Sequence, residues 1–199
     1  MAYPTINGPY GLRPINLIGG QVFAGSTRNM QIVTGYATNI LKGQPVAYSA
    51  SAGVIVPVTA SSTNAAWSGA FAGVQWTDTT GRARVSNYWP ANTAYTAGTC
   101  TAYFYNDNNI VYEIQADGSM AQTTIGNEYL FTNVTNGSST TGLSQATLGA
   151  STAVGNATQG QMRVVDLAPY VDNAWGDSYT IVRVVNSNSQ MFGAFTAFA

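Results

Sequence analysis

Glycine and proline interrupt this sequence so often that no long helix is expected along most of it. The 199 residues include 21 glycines and 7 prolines. Both residue types disfavour helix interiors, and the short segments between them are rich in valine, isoleucine, threonine, tyrosine and phenylalanine, which favour strands. We therefore expect an all-β protein, either a small antiparallel β-sandwich or a β-barrel of β-roll type.

Ten segments have the composition and length of strands. Pro57 removes a hydrogen-bond donor from the second of them, so that strand is expected at a sheet edge or a bulge. The ten segments are 45–49, 54–60, 70–76, 82–86, 99–105, 110–116, 128–132, 162–168, 179–186 and 190–197.

The clearest predicted pairing joins segments 99–105 and 110–116. Residues 106–109, Asn-Asp-Asn-Asn, lie between them and tolerate turn and left-handed conformations. We therefore expect a hairpin here. Aromatic contacts should stabilise it across the two strands. The side chains expected to make them are Tyr103, Phe104, Tyr105 and Tyr112.

Two long segments lack the pattern of packed structure. Residues 1–38 contain repeated prolines and glycines, which exclude a helix and weaken a central strand. Residues 133–161 are mostly small and polar, and they are expected to form a long loop. The predicted organisation is an extended N-terminal arm, 1–38, followed by a β-rich domain, 39–199, with a possible division near residue 87.

The N-terminal arm has too many apolar side chains to remain in water, because burial of one leucine or phenylalanine contributes roughly 1.5–3 kcal/mol. It should lie against either the chain's own β-domain or another subunit, and the sequence leaves both alternatives open. The apolar C-terminus, from residue 191 onward, poses the same choice. The residues predicted to bind a partner are Tyr10, Leu12, Arg13, Ile15, Leu17, Ile18, Val22, Phe23, Arg28, Met191, Phe192, Phe195 and Phe198.

Charge is scarce in this chain. Charged residues make up 8% of it, against roughly 25% in soluble domains. Runs of serine, threonine, asparagine and glycine replace them, and such a surface allows copies to crowd together without strong repulsion. The net charge of −1 and the scattered basic residues argue against a nucleic-acid partner. Arg82 and Arg84 lie close together, and we expect them on a solvated strand face rather than at a phosphate site.

The sequence has no apolar run near the roughly 20 residues that a membrane-spanning helix needs. The first residues also lack the basic and apolar regions of a signal peptide. We therefore expect synthesis in a cytoplasm and no membrane partner. The single cysteine, Cys100, cannot form an internal disulfide and is expected to be a small strand residue rather than a redox centre.

The absence of histidine removes the commonest catalytic bases and metal ligands. Glu113 and Glu128 could form a carboxylate pair for glycoside cleavage, but no sugar-binding surface can be placed around them. The Asp/Asn clusters at 107–109 and 172–177 lack the spacing of an EF-hand, and turns explain them better. We expect no enzymatic activity, no metal and no cofactor.

The tryptophans leave a further alternative open. They could line a carbohydrate groove, or they could anchor a core or a protein interface. In a carbohydrate- or receptor-binding β-module, Trp89 or Trp175 would be the stacking surface. The four are Trp67, Trp76, Trp89 and Trp175.

Two segments resemble structural proteins of tailed phages. Residues 42–76, KGQPVAYSASAGVIVPVTA followed after seven residues by SGAFAGVQW, resemble the small β-domains of capsid decoration (cement) proteins. Residues 9–28, PYGLRPINLIGGQVFAGSTR, resemble the N-termini of virion structural proteins. The resemblance covers about a third of the chain and does not include residues 87–199.

This resemblance implies a virion protein on the outer surface of the head. Such a protein binds the major capsid protein, commonly as a homotrimer, and clamps adjoining capsid subunits without covalent chemistry. A tail-tube or other tail structural protein is an alternative, because it would also be β-rich and self-associating.

Overall fold

The computed structural model describes residues 5–49, 53–59, 65–155 and 158–191. These parts of the chain contain fourteen strands, a 3-10 helix at Gln122–Thr124 and no α-helix, so the expected all-β fold is confirmed. The strands are β1 (Arg13–Leu17), β2 (Arg28–Met30), β3 (Pro45–Tyr48), β4 (Ile55–Pro57), β5 (Gly69–Thr77), β6 (Ala83–Ser86), β7 (Thr101–Tyr105), β8 (Ile110–Gln115), β9 (Glu128–Thr132), β10 (Gly137–Ser138), β11 (Leu143–Ser144), β12 (Thr147–Ala153), β13 (Met162–Leu167) and β14 (Ile181–Asn186).

The strands form a sandwich of two six-stranded antiparallel sheets and a small hairpin. Sheet A has the order β1-β8-β14-β13-β9-β12. Sheet B has the order β2-β7-β5-β3-β4, with β6 also paired to β5. The hairpin consists of β10 and β11. Of the two predicted architectures the sandwich is the correct one, because the described strands form no closed barrel.

The main core lies between the two sheets. Ile110, Tyr112 and Ile114 alternate along β8 and face this core, as the twofold period of a strand requires. Trp67 is fully buried there, with its ring centroid 5.0 Å from that of Phe131. Its indole N–H donates a 2.7 Å hydrogen bond to the backbone carbonyl of Gln161, directly before β13 of sheet A, so this side chain joins the two layers.

A second core covers the opposite face of sheet B. Phe71 and Phe104 are fully buried in it, while their neighbours Ala70 and Tyr105 face the first core. Trp89 is also fully buried, 5.5 Å from Trp76 and 6.0 Å from Tyr95 between ring centroids. The part of sheet B that contains Ala70, Phe71 and Phe104 is therefore covered on both faces, and these positions are apolar.

The strand segments predicted from composition are confirmed as strands, apart from 190–197, most of which lies outside the described residues. The strand containing Pro57 is at the edge of sheet B, as expected. Cys100 is a buried, free cysteine directly before β7.

The predicted hairpin between 99–105 and 110–116 is wrong. β7 belongs to sheet B and β8 to sheet A, so residues 106–109 cross from one layer to the other. The turn itself forms as its residues suggest: Asp107 Oδ1 accepts the Asn109 N–H at 2.9 Å. The turn-forming residues 106–109 bend the chain, but they do not determine which strands β7 and β8 pair with. Every residue of β8 is buried, and a central position in the larger sandwich provides that burial.

The expectation of a loop at 133–161 is also wrong, because β12 pairs with β9 and contains the fully buried Leu148. Within residues 5–38 no helix forms, and this segment contributes edge strands to both sheets: β1 pairs with β8, and β2 pairs with β7. The N-terminal arm was expected to lie either on the chain's own β-domain or on another subunit. β1 and β2 lie on the chain's own sheets.

Candidate functional site

Leu12 and strand β1 place several residues of the predicted partner-binding set within the chain's own fold. Leu12 is buried, with 3% of its surface exposed, and its N–H donates to the Gly43 carbonyl at 2.8 Å. Leu17 packs against the core between the sheets, and Ile15 is half-buried. These side chains contribute to the chain's own fold, and they present little surface to a partner.

Residues 16–22 form a tight bend at the edge of sheet A, which we name the N-terminal hairpin. The Leu17 N–H donates to the Gln21 carbonyl at 2.9 Å, and Gly20 adopts a φ of 79°. Ile18 and Val22 are left 59% and 86% exposed. Among the described residues of the predicted partner-binding set, these two expose the largest fraction of an apolar side chain, ahead of Met191.

The remaining predicted residues are dispersed. Phe23 is half-buried, with its ring 5.5 Å from that of Tyr105 in a T-shaped contact. Arg28 is exposed on β2 and lines an open depression with Met30, Tyr48 and the exposed Met191. Phe192, Phe195 and Phe198 lie outside the described residues.

Tyr10 and Arg13 converge on Glu113, which lies on the outer face of sheet A. Glu113 Oε1 accepts hydrogen bonds from the Tyr10 hydroxyl at 2.8 Å and the Tyr170 hydroxyl at 2.7 Å. Arg13 Nη1 is 3.8 Å from the same oxygen. Only 4% of the Glu113 side chain is exposed. Two hydroxyl donors and a nearby cation therefore compensate a buried carboxylate.

Charges alternate across four strands at this level of sheet A. Glu113 is in register with Arg13 on one side and Arg183 on the other, and Arg183 is in register with Asp166. Opposite charges on neighbouring strands stabilise such a row. Arg183 Nε is buried, without a hydrogen-bond partner among the residues that the structure describes.

The two tyrosines are held in their protonated form. Burial raises the pKa of Tyr10 far above its usual range, and the neighbouring Glu113 charge raises it further. Burial also raises the pKa of Tyr170, as does its hydrogen bond to Glu113. Both hydroxyls are therefore available as donors at neutral pH.

A half-open cavity of about 610 Å³ adjoins this cluster. Tyr10, Arg13, Lys42, Glu113 and Tyr170 supply its polar groups, and apolar side chains of both sheets supply the rest of its wall. Its volume falls within the range of ligand pockets, roughly 300–1,000 Å³. The lining provides hydrogen-bond donors and acceptors and two cations at the rim.

Part of this cluster was not predicted from the sequence. Glu113 was considered only as one of a catalytic carboxylate pair, and Tyr170 and Arg183 had no predicted role at this site. One signal was available: in β8, IVYEIQ, polar Glu113 and Gln115 alternate with apolar residues in a strand that contains no turn former. Such a pattern predicts a polar second face, but it does not reveal what covers that face.

Glu113 and Glu128 do not form the carboxylate pair that glycoside cleavage would require. Glu113 lies on β8 and Glu128 on β9, with β14 and β13 between them. Three interstrand spacings amount to roughly 14 Å, which exceeds the separation in either class of glycosidase. Glu128 instead forms an ion pair with Arg163 at 2.7 Å.

Other candidate sites have structural roles. Trp89 is fully buried and cannot be a sugar-stacking surface, and Trp175 is half-buried against the main core. Asp177 Oδ2 accepts the Ala174 N–H at 2.6 Å within a turn. Arg84 lies on the solvated face of β6 and binds Asp78 at 3.0 Å. No group of three or more potential metal-ligating side chains occurs in the described ranges.

The comparisons with known proteins identify no relative. The chain matches no family model, no curated protein and no solved structure. Within the described residues, no helix is long and apolar enough to cross a membrane.

Proposed function

We propose that this chain is a structural protein of a tailed-phage virion, a decoration protein that binds the outer lattice of the head. It would stabilise the contacts between major capsid subunits by non-covalent clamping, and it would associate with copies of itself. Support comes from the resemblance of residues 9–28 and 42–76 and from the all-β sandwich to which the described parts of both segments belong.

The observation that carries the proposal is the N-terminal hairpin. Ile18 and Val22 expose most of their apolar surface at one edge of sheet A, within a segment that resembles virion proteins. Exposed apolar groups that lie close together mark interaction surfaces in soluble proteins. On a capsid, their burial against adjoining subunits would stabilise the joint by mass action, without any chemical step.

The charge content supports the same function. A sandwich with 8% charged residues and a net charge of −1 creates little long-range repulsion between copies. Many copies can then occupy adjacent lattice positions at low electrostatic cost.

The direct test is binding to heads that lack this protein. Ile18→Asp and Val22→Asp should each weaken binding at least about tenfold, because burial of such a side chain contributes roughly 1.5–3 kcal/mol. Val171→Asp is a matched control, because Val171 is fully exposed in a different loop. Bound copies are counted by quantitative mass spectrometry, and head stability is measured by release of DNA on heating.

Two outcomes would contradict the proposal. Heads with and without the protein could lose their DNA at the same temperature, or the hairpin variants could bind as well as wild type. A copy number that follows the major capsid protein supports a head position. A few copies per particle, found with the tail, would support the alternative of a tail structural protein.

A further inference from the structure

The half-open cavity beside Glu113, which we name the Glu113 cavity, has a hydrogen-bond acceptor without a donor in its wall. Glu113 Oε1 accepts the hydroxyls of Tyr10 and Tyr170, at 2.8 and 2.7 Å. Glu113 Oε2 accepts no hydrogen bond from the residues that the structure describes, and it is not sealed from solvent. Only 4% of the side chain is exposed, and it lines the cavity. A donor on a bound molecule would therefore complete the partners of this buried carboxylate.

Two cations that lack hydrogen-bond partners line the same cavity. Arg13 Nη1 lies 3.8 Å from Glu113 Oε1, which is beyond hydrogen-bond distance, and its guanidinium donates no hydrogen bond to a described residue. Lys42 is exposed, and its ammonium has no hydrogen bond or ion pair within the described parts of the chain. Both groups are free to bind an anion at the rim, and a guanidinium fits a carboxylate especially well.

Backbone contacts fix the segments that carry these cations. The Leu12 N–H donates to the Gly43 carbonyl at 2.8 Å. Gly11 has a φ of 74° and packs so closely that a Cβ there would lie 2.6 Å from the Gly43 carbonyl oxygen. Arg13 follows Leu12 and Lys42 precedes Gly43, so both cations extend from one hydrogen-bonded pair of segments. The rim is therefore formed before a ligand arrives, which lowers the cost of binding.

Aromatic and aliphatic side chains form much of the remaining wall. Tyr10, Tyr105 and Tyr170 line the cavity, together with Leu12 and Ile181. Tyrosine rings offer an apolar surface to the C–H face of a sugar ring, and their hydroxyl oxygens can also accept hydrogen bonds. Apolar walls with a few convergent polar groups are typical of small-molecule sites.

The charges around Glu113 favour a neutral donor as its partner. Arg13 and Arg183 are in register with Glu113 on the two neighbouring strands. These cations would repel a ligand ammonium at Glu113 Oε2, whereas a hydroxyl can donate there without that repulsion. A carboxylate elsewhere on the ligand would be attracted by Arg13 and Lys42 at the rim. The cavity therefore favours a molecule with several hydroxyls and one negative group.

We propose that the Glu113 cavity binds a sugar that carries a carboxylate, such as a uronic acid. A ring hydroxyl donates to Glu113 Oε2, the sugar carboxylate binds Arg13 and Lys42, and a C–H face of the ring lies against the tyrosines. The site binds the sugar without chemical conversion. This inference goes beyond the proposed function and does not depend on it, because the cavity and the N-terminal hairpin use different residues.

Three monosaccharides with the same ring test the proposal on the full chain. D-glucuronate has the carboxylate, D-glucose has a neutral hydroxymethyl group in its place, and D-glucosamine carries an ammonium. Each sugar is titrated into ¹⁵N-labelled chain, and the backbone amides of Tyr10, Leu12 and Gly43 are followed by NMR. We expect saturable shifts with glucuronate and a Kd on the order of millimolar. Glucose and glucosamine should bind at least about tenfold more weakly, because neither has a partner for the rim cations.

Two rim variants test the cations. Arg13→Gln and Lys42→Gln should each weaken glucuronate binding about fivefold or more, because each removes a charged partner of the carboxylate. Arg82→Gln is the matched control, since it removes the same charge from an exposed position outside the cavity and should leave the Kd unchanged. The Lys42 ammonium makes no bond to a described residue, so Lys42→Gln should fold like wild type. Thermal unfolding followed by circular dichroism checks this.

Three results would overturn the proposal. The amides could stay unshifted at glucuronate concentrations far above millimolar. Acetate could bind with the same Kd as glucuronate, which would mean that the rim holds any small anion and does not recognise a sugar. Glucosamine could bind more tightly than glucuronate, which would make Glu113 part of a cation site. None of these results would change binding to phage heads, so failure of this inference and failure of the proposed function are distinguishable.

Discussion

Glu113 is the residue on which the outer face of sheet A depends. Its carboxylate accepts two tyrosine hydroxyls and is in register with arginines on both neighbouring strands. A buried carboxylate without such partners would be strongly destabilising. The cluster therefore stabilises the fold only while all of its members are present.

Glu113→Gln should lower the free energy of unfolding by about 2–3 kcal/mol, because hydrogen bonds to a charged group are lost and the nearby cations remain. Urea unfolding followed by tryptophan fluorescence measures the change. Glu128→Gln is the control: its partner Arg163 is mostly exposed, so a cost of about 1 kcal/mol or less is expected. Equal effects of the two substitutions would show that Glu113 has no special role.

Buried tyrosines determine the stability at alkaline pH. Burial raises the pKa of Tyr10 and of Tyr112 above the unfolded value of about 10. The contribution of these tyrosines to stability is fully present below pH about 10, and it is lost as the pH rises towards their folded pKa values, because only the unfolded chain ionises there. Urea midpoints should therefore fall above pH about 10.

Tyr10→Phe should make that alkaline decline less steep than in wild type. Tyrosinate absorbance provides an independent measurement, because Tyr10 and Tyr112 should ionise only as the chain unfolds. A free energy of unfolding that stays constant up to pH about 11.5 would contradict this account.

At the scale of elements, the sandwich depends on close contacts between neighbouring strands of sheet B. β5 is central in this sheet and pairs with β7, β3 and β6. Gly69 begins β5 at a point where the β7 backbone approaches closely: a Cβ at Gly69 would overlap the Tyr105 carbonyl oxygen. The absence of a side chain at this position allows the two strands to pair.

Gly69→Ala should destabilise the protein by about 2–3 kcal/mol, because the strand backbones must separate to admit one methyl group. Gly155→Ala is the matched control, since nothing lies within 4 Å of a Cβ built there and its φ is ordinary. That control should stay within about 0.5 kcal/mol of wild type. The melting temperatures of both variants are measured by thermal unfolding followed by circular dichroism. Similar melting temperatures would contradict the close approach of the β5 and β7 backbones at Gly69.

At the scale of the whole molecule, stability comes from two apolar cores, one on each face of sheet B. The described residues contain three ion pairs, and in each of them the arginine is at least half exposed. Pairs with an exposed member contribute about 0–1 kcal/mol each and are screened by salt. The fold therefore depends on burial and backbone pairing rather than on charge.

The melting temperature should change by less than about 12 °C between roughly 0.05 and 0.5 M sodium chloride, since three pairs of at most about 1 kcal/mol each, at 2–4 °C per kcal/mol for this size, set the upper limit. Differential scanning calorimetry measures it. Trp67→Ala removes the side chain that joins the two layers and should cost about 3–5 kcal/mol at either salt concentration. A salt-dependent shift much larger than this limit would mean that charge stabilises the fold after all.

Local composition predicts much of this molecule. The strand segments, the turn at 106–109 and the edge position of Pro57 all follow from residues within a few positions of one another. Strand propensity, turn geometry and the missing proline N–H act over that range. The sequence by itself therefore determined the all-β class and most strand positions.

The tertiary structure alone decided which strands pair and what covers each face. β7 and β8 are joined by four residues, yet they belong to different sheets. Glu113 is buried because Tyr10 and Tyr170, distant in sequence, converge on it. Which strands pair depends on the total apolar surface that the two sheets bury on both of their faces. Strands with similar sequence patterns can pair with the same neighbour, so the pattern of one strand does not select its partner. Alternating polar and apolar residues indicate that a strand has one polar and one apolar face. Only the assembled sheets determine which other residues cover each face.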